Sequence, residues 1–349
     1  GPGQVLVRVA ATSLNLTDWE GLCGSPAYAR IGGLRSPARP ILGSDIAGVV
    51  EAVGDDVDRF RPGDEVYGDN LDLKGGFAEC AIAAEGALAL KPEGLSFAEA
   101  STIPQSGAIA LQGTAAAGPG VRFLVNGGGG GTGMFAIQLA KRAGAHVTAV
   151  DNGGKLDFMR SLGADEVIDY RVDDFTRGSE TYDIILDLVA HRSVLRLRRS
   201  LNRGGRYLYV GGPVHRLLRT VTIGAVSARL TGRRMGLLAV KQGPDHFGPL
   251  AELCRSGDVV VRIDRSFTLD EVPDAVAAHE VIEQALDALV AAALEPDQPA
   301  AATQATARAI CDYDTWQALR RHGITGADSI DAAQTMLSAC LRARSPAAR

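Results

Sequence analysis

The residues with the clearest chemical content lie in the run VNGGGGGTGMF at residues 125–135. Gly128, Gly130 and Gly133 have the G-x-G-x-x-G spacing, with Gly131 and Thr132 between the last two. An apolar run, VRFLVN, leads into the glycines, and the segment from Met134 leads out of them with Gln138 as its one polar residue before Lys141. Glycine there lets the chain turn tightly, lets backbone approach a pyrophosphate, and lets the following helix aim its first amides at the phosphates. Asp151 ends a second strand-like run, HVTAVD, about 20 residues on, where an acid hydrogen-bonds an adenosine ribose. A glycine run can also be a slack linker, but linkers are flanked by polar, low-complexity sequence, and this one lies between RFLV and MFAIQLA. A nucleotide cradle is the expectation.

Such a cradle needs a parallel sheet behind it. From Val121 to Gly212 short β-branched or aromatic runs (VRFLVN, HVTAVD, EVIDY, YDIILDLV, GRYLYVGG) alternate with helix-like segments, the pattern of βαβ units. A doubly wound domain is expected over residues 116–254. Residues 1–115 carry shorter strands broken by turn signals such as RPGD, the texture of a β-rich domain, to which residues 255–280 are assigned as well. From residue 281 apolar residues fall at helical spacing (Ile282, Leu286, Leu289, then Ile330, Ala333, Leu337), which predicts a helical tail over residues 281–349.

The composition bounds the function classes. The 349 residues carry a net charge of −5, which argues against a nucleic-acid partner while leaving room for a local basic patch. No stretch approaches the ~20 uninterrupted apolar residues of a membrane span, and the chain opens without a basic-then-apolar signal segment. A cytoplasmic protein without a membrane partner is expected. The five cysteines are odd in number and far apart, which fits reduced thiols.

Several motifs, in order, resemble the medium-chain dehydrogenase/reductase superfamily, on its zinc-independent quinone oxidoreductase and enoyl reductase side: GSDIAGVVEAVG, RPGDEVYG, GGFAEC, the NGGGGGTG loop and RSLGADEVIDY. The resemblance covers residues 1 to about 280. It implies a GroES-like catalytic domain and a Rossmann domain with the active site between them, α/β overall. It further implies that Asn15 hydrogen-bonds near the nicotinamide ribose or the substrate oxygen, and that Thr17 can join a proton relay. Tyr28 is the candidate proton donor in the substrate loop, with Tyr67 and water as alternatives. Asp18 and Asp45 read as structural carboxylates at least as readily as catalytic ones.

In similar enzymes Lys155 and Tyr170 touch a 2′-phosphate, whereas Asp151 repels one, so NADP(H) and NAD(H) both stay open. Val189 is expected to edge the adenosine side, and Gly211 and Gly212 to bring backbone near the nicotinamide. All six histidines lie after residue 145, and where zinc-dependent relatives carry a cysteine and a His-Glu pair this chain has Asn15, Ser44 and Asp45, so no metal is expected. Hydride transfer without a metal suits a quinone or an α,β-unsaturated carbonyl, whose conjugation spreads the developing charge.

The chain departs from the family pattern at both ends, so the catalytic domain is expected to lack edge strands. The end of the tail resembles the ligand-binding and dimerisation domain of TetR-type regulators, which implies a homodimer. An alcohol or aldehyde dehydrogenase-like activity, and a nucleotide-sensing protein without turnover, are the alternative readings.

Overall fold

The computed structural model describes residues 1–23, 39–212 and 214–272. Tyr28 and the expected helical tail, with its TetR-like reading, lie outside the described residues. The chain divides into Gly1–Asp264 and Arg265–Arg349. The described part of the second unit contains a 3-10 turn, Leu269–Glu271, opened by a reciprocal capping box between Thr268 and Glu271.

In the first unit, β1 (Gln4–Thr12), β2 (Asp45–Val53), β3 (Glu65–Asp69), β4 (Cys80–Ala84) and β5 (Leu88–Leu90) form an antiparallel sheet in the order β4-β1-β2-β3-β5. β1 and β4 alternate as strands with one covered face do, with Val5 and Val7 buried and Arg8 exposed, whereas β2 and β3 carry continuous buried runs. Two irregularities in the β1–β2 register interrupt the pairing before β1 delivers Ser13 and Asn15 to the start of α1 (Leu16–Cys23).

The second sheet is parallel and six-stranded. It holds β6 (Arg122–Asn126), β7 (His146–Asp151), β8 (Glu166–Asp169), β9 (Tyr182–Asp187), β10 (Leu201–Tyr209) and β11 (Arg234–Leu237), in the order β11-β10-β9-β6-β7-β8. The central strands RFLVN and YDIILD are almost wholly buried, as expected for strands covered on both faces. Strand order reverses between β6 and β9, so the crevice at their carboxyl ends is where a ligand belongs. The mixed α/β architecture expected from the sequence is present.

Three helices join the sheets: α2 (Phe97–Ser101), α3 (Pro104–Gly113) and α8 (Pro244–Arg255), the last following α4 (Gly131–Arg142), α5 (Leu156–Ser161), α6 (Val194–Arg199) and α7 (Val214–Thr231) in the chain. One apolar core runs through them, from Ala47 and Tyr67 of the antiparallel sheet, past Ile103 of α3 and Leu250 of α8, to Phe123 and Leu186 of the parallel sheet. The Tyr67 ring meets Phe247 of α8 edge-on, with centroids 5.1 Å apart. Tyr67 is 1% exposed and burial raises its hydroxyl pKa, so this alternative proton donor is instead a core packing residue. Among the described residues no helix is long and apolar enough to cross a membrane.

Candidate active site

The glycine loop leaves β6 at its carboxyl end. Asn126 is buried, Gly127 turns the chain at φ +93°, and the N–H groups of Gly127 and Gly128 both donate to the carbonyl of Val150 on β7. Gly133 is required by close approach, because a Cβ there would lie 2.3 Å from the Gly127 carbonyl oxygen and 2.6 Å from the Gly128 Cα. Gly130 differs: nothing lies nearer than 3.7 Å to a Cβ built on it, so the loop opens there. No side chain caps α4 at Gly130, which leaves the first amides of a 12-residue helix without a side-chain acceptor. A cradle with uncapped amides and room above its middle glycine fits a pyrophosphate.

At the ends of β7 and β8 the structure brings Asp151, Lys155 and Tyr170 together. The Asp151 carboxylate is held at both oxygens: Oδ2 accepts from the Gly129 N–H at 2.8 Å, and Oδ1 from the Asn152 backbone N–H at 2.8 Å and its Nδ2 at 3.1 Å. Lys155 packs its Cβ and Cγ against Gly129, each 2.9 Å from where a Cβ of that glycine would sit. The Tyr170 backbone N–H donates to the Asp151 carbonyl, and its hydroxyl is buried.

Val189, Gly211 and Gly212 also meet. Gly212 has φ +135°, and a Cβ on it would sit 2.7 Å from the Val189 carbonyl oxygen, so the loops after β9 and β10 close against each other only with glycine there. A Cβ on Gly211 would meet Leu16 of α1 at 3.4 Å, which ties this loop to the catalytic segment.

Sequence reasoning missed the residue that organises these loops. Asp187, wholly buried at the end of β9, accepts from Asn126 Nδ2 at 2.7 Å, from the Ala190 N–H at 2.7 Å and from the Tyr207 hydroxyl at 2.9 Å. An acid directly after the apolar run IIL was the available signal. Burial, with Asp187 beside it, raises the Tyr207 pKa, which keeps the phenol protonated as the donor.

Across the crevice, Asn15 precedes α1 and donates through Nδ2 to Ser13 Oγ and to Ser44 Oγ, both at 3.3 Å. Its donors thus face the protein, and Asn15 reaches a substrate oxygen with an N–H only if the amide turns. Thr17 Oγ1 donates to Gln105 Oε1 at 3.2 Å, and the Gln105 N–H donates to Asp45 Oδ2 at 3.1 Å. Gln105, at the start of α3, was also missed; Pro104 at the head of IPQSG marks that helix start. Asp18 is structural: Oδ1 accepts from the Gly43 N–H at 3.0 Å and Oδ2 from the Asn15 N–H at 3.2 Å, with Lys74 Nζ 3.7 Å from Oδ1.

The donor set around Asn15 does not fit zinc. An amide, two hydroxyls and one carboxylate stand there, already hydrogen-bonded to one another, and zinc favours thiolate and imidazole. Among the described residues no group of three or more His, Cys, Asp or Glu side chains could hold a metal ion.

Both sheets have counterparts among known proteins. Residues 1–113 match the alcohol dehydrogenase GroES-like domain family, and residues 162–285 the zinc-binding dehydrogenase family. The quinone oxidoreductase QR1 of Triphysaria versicolor, a chloroplastic protein, is 31% identical over 79% of this chain and 86% of its own length. The 2-methylene-furan-3-one reductase of Solanum lycopersicum is 36% identical over 60% of this chain and 55% of its own. Among solved structures, the quinone oxidoreductase of Coxiella burnetii superposes with a TM-score of 0.72 at 31% identity, covering 81% of this chain and 87% of that one. With its glycine cradle, its paired sheets and relatives spread over most of its length, the chain belongs to the medium-chain dehydrogenase/reductase superfamily and is an NAD(P)H-dependent oxidoreductase.

Proposed function

We propose that this chain reduces a quinone or an α,β-unsaturated carbonyl without zinc, with NADH as its preferred reductant. The observation that carries the zinc-independent reading is the set Asn15, Ser13, Ser44 and Asp45, closed on itself by hydrogen bonds where a zinc-dependent relative would offer thiolate and imidazole. The relatives named for quinone and enone reduction support the substrate class.

The bound nucleotide supplies a hydride from its nicotinamide. Gly128, Gly130, Gly131, Thr132 and Gly133 cradle its pyrophosphate. Asp151 takes the ribose diol, and because Gly129 and Asn152 fix the carboxylate in place, its charge opposes a 2′-phosphate. Lys155 and Tyr170 line the adenosine side. Val189 edges the adenosine side, and Gly211 and Gly212 shape the nicotinamide end. Thr17 and Asn15 face the substrate: Asn15 polarises the oxygen once its amide turns from the serines, and Thr17, coupled to Gln105, orients it. The proton that completes the reduction comes from water or from Tyr28.

A turnover screen of the purified chain with NADH and NADPH against quinones, enones and alcohols tests this reading. Oxidation of NADH by quinones or enones, unchanged by a strong zinc chelator, is expected. Nucleotide binding without turnover on any acceptor, or activity lost on chelation and restored by zinc, overturns it.

A further inference from the structure

Gln105 is the second residue of α3, and it ties that helix to the substrate side of the crevice at two points. Its backbone N–H donates to Asp45 Oδ2 at 3.1 Å, and its side-chain Oε1 accepts from Thr17 Oγ1 at 3.2 Å. The next residue, Ser106, faces the nucleotide side: its Oγ lies 3.2 Å from where a Cβ on Gly131 of the cradle would sit. The first turn of α3 therefore stands between the glycine loop and α1. Each hydrogen bond made inside this group decides which donors are left for a substrate.

Most of the donors are already engaged. Asn15 Nδ2 serves Ser13 and Ser44, the Ser13 hydroxyl donates to Asp45 Oδ2 at 3.4 Å, and the Thr17 hydroxyl is given to Gln105. Ser44 is wholly buried. Because Thr17 holds the oxygen end of the Gln105 amide, the Nε2 end is turned away from the threonine, and it makes no hydrogen bond among the described residues. The side chain is only half-buried, so the two N–H bonds of Nε2 are accessible. No side chain caps α3, so the positive end of a 10-residue helix lies behind them. Asp45, beneath the same turn, opposes a negative oxygen less than an ordinary carboxylate would, since burial and the neighbouring Asp69 hold its proton to higher pH.

We infer that the Gln105 side-chain amide donates through Nε2 to the substrate oxygen on which negative charge develops, which makes Gln105 a catalytic residue of the reduction proposed above and rests on that reading. When hydride adds to a quinone or an α,β-unsaturated carbonyl, its electron pair enters the conjugated system and the carbonyl π pair moves onto oxygen, leaving a hydroquinone monoanion or an enolate. A donor already in place stabilises that charge without reorganising at the moment of reaction. Asn15 must first give up its serine contacts, whereas the Nε2 end of Gln105 has none to give up. The proton that neutralises the product still comes from water or from Tyr28, and the amide keeps both of its own.

Two measurements on the full chain test this. Binding of para-nitrophenolate, a stable stand-in for the oxyanion, is titrated by its absorbance in the presence of NAD+, with Gln105→Leu and Gln105→Glu beside the parent. The parent should bind the phenolate, Gln105→Leu about tenfold more weakly, and Gln105→Glu, which keeps the side-chain length and the acceptor for Thr17 but sets a carboxylate against the anion, more weakly still. In steady-state kinetics with NADH and a quinone, Gln105→Leu should lose about tenfold to a hundredfold in kcat/KM, most of it in kcat, with NADH affinity within about twofold of the parent. Equal phenolate binding by the parent and both variants, or no binding by the parent, overturns the inference whatever the turnover. A loss of NADH affinity as large as the loss of kcat/KM in both variants overturns it as well, since that would mark Gln105 as a prop between α1 and the cradle. A parent that reduces no quinone or enone yet binds the phenolate through Gln105 overturns the substrate reading and supports the donor assignment.

Discussion

Asp45 and Asp69 are direct cross-strand partners in the β2–β3 ladder, and both are buried. Partners in an antiparallel pair share a face, so two carboxyl groups are set side by side away from water. Burial raises both pKa values, that of Asp69 to about 6 and that of Asp45 well above the ordinary carboxylate range, where Asp69 itself adds to the effect. Asp69 Oδ1 lacks a partner, as one oxygen of a carboxyl group left out of the backbone network would. Both carboxyl groups therefore hold their protons to higher pH than exposed carboxylates do.

A pH dependence of stability follows. Because the folded-state pKa of Asp69 lies above its unfolded value of about 3.9, the folded protein holds the extra proton between roughly pH 4 and 6. Its contribution is fully present below pH 4 and lost as pH rises through about 6. Asp69→Asn removes that loss. Denaturant unfolding should show the variant more stable than the parent by on the order of 1–3 kcal/mol at pH 8, with the gain vanishing near pH 4.

Two glycines in one loop should fail differently. Gly133→Ala forces a methyl into the Gly127 carbonyl, so thermal unfolding should show a loss of about 2 kcal/mol or more, accompanied by loss of nucleotide binding. Gly130→Asp enters open space. It should leave the melting temperature of the nucleotide-free protein within a few degrees and weaken NADH binding about a hundredfold, by placing a carboxylate at the phosphates.

Asp151→Ser removes the charge that would face a 2′-phosphate and keeps a hydroxyl for the Gly129 amide. The ratio of kcat/KM for NADPH over NADH should rise about tenfold to a hundredfold, most of it in KM. An unchanged ratio would show that Lys155 and Tyr170 set the preference instead.

Asp187→Ala leaves Asn126, the Ala190 amide and the Tyr207 hydroxyl without their shared acceptor inside the core. A destabilisation of roughly 3–5 kcal/mol is expected, against about 1–2 kcal/mol for Tyr207→Phe, which removes a single donor. Chemical denaturation of the two variants checks the ordering.

The parts of the site that could be read from sequence are those whose signal is local. The glycine spacing, the strand before it and Asp151 at the next strand end fall within 30 residues, and the backbone geometry they impose depends on little else. Asp187 and Gln105 could not be read that way. Their roles come from partners 61 and 60 positions away, Asn126 and Asp45, brought near only by the sheet order and by the docking of α3. α7 resists sequence reading for another reason. Its apolar residues keep helical spacing, which by itself does not say which of them turn inward, and the covered face joins Leu217 and Ile223 with Thr220, Gly224 and Ser227 while Leu218 and Leu230 stay exposed. Asn15 was legible as a residue but not in its orientation, which Ser13 and Ser44 decide.

The Tyr67–Phe247 contact has a consequence for how the enzyme responds to heat and to ligand. Val5, Val7, Ile46 and Val66 form a separate core within the antiparallel sheet, but one apolar cluster runs from Ala47 and Tyr67 through α3 and α8 to the parallel sheet, so loss of that shared packing weakens both sheets. Residues 1–264 should melt in a single cooperative transition. Nucleotide that touches only the parallel side will then raise the melting point of the substrate side as well.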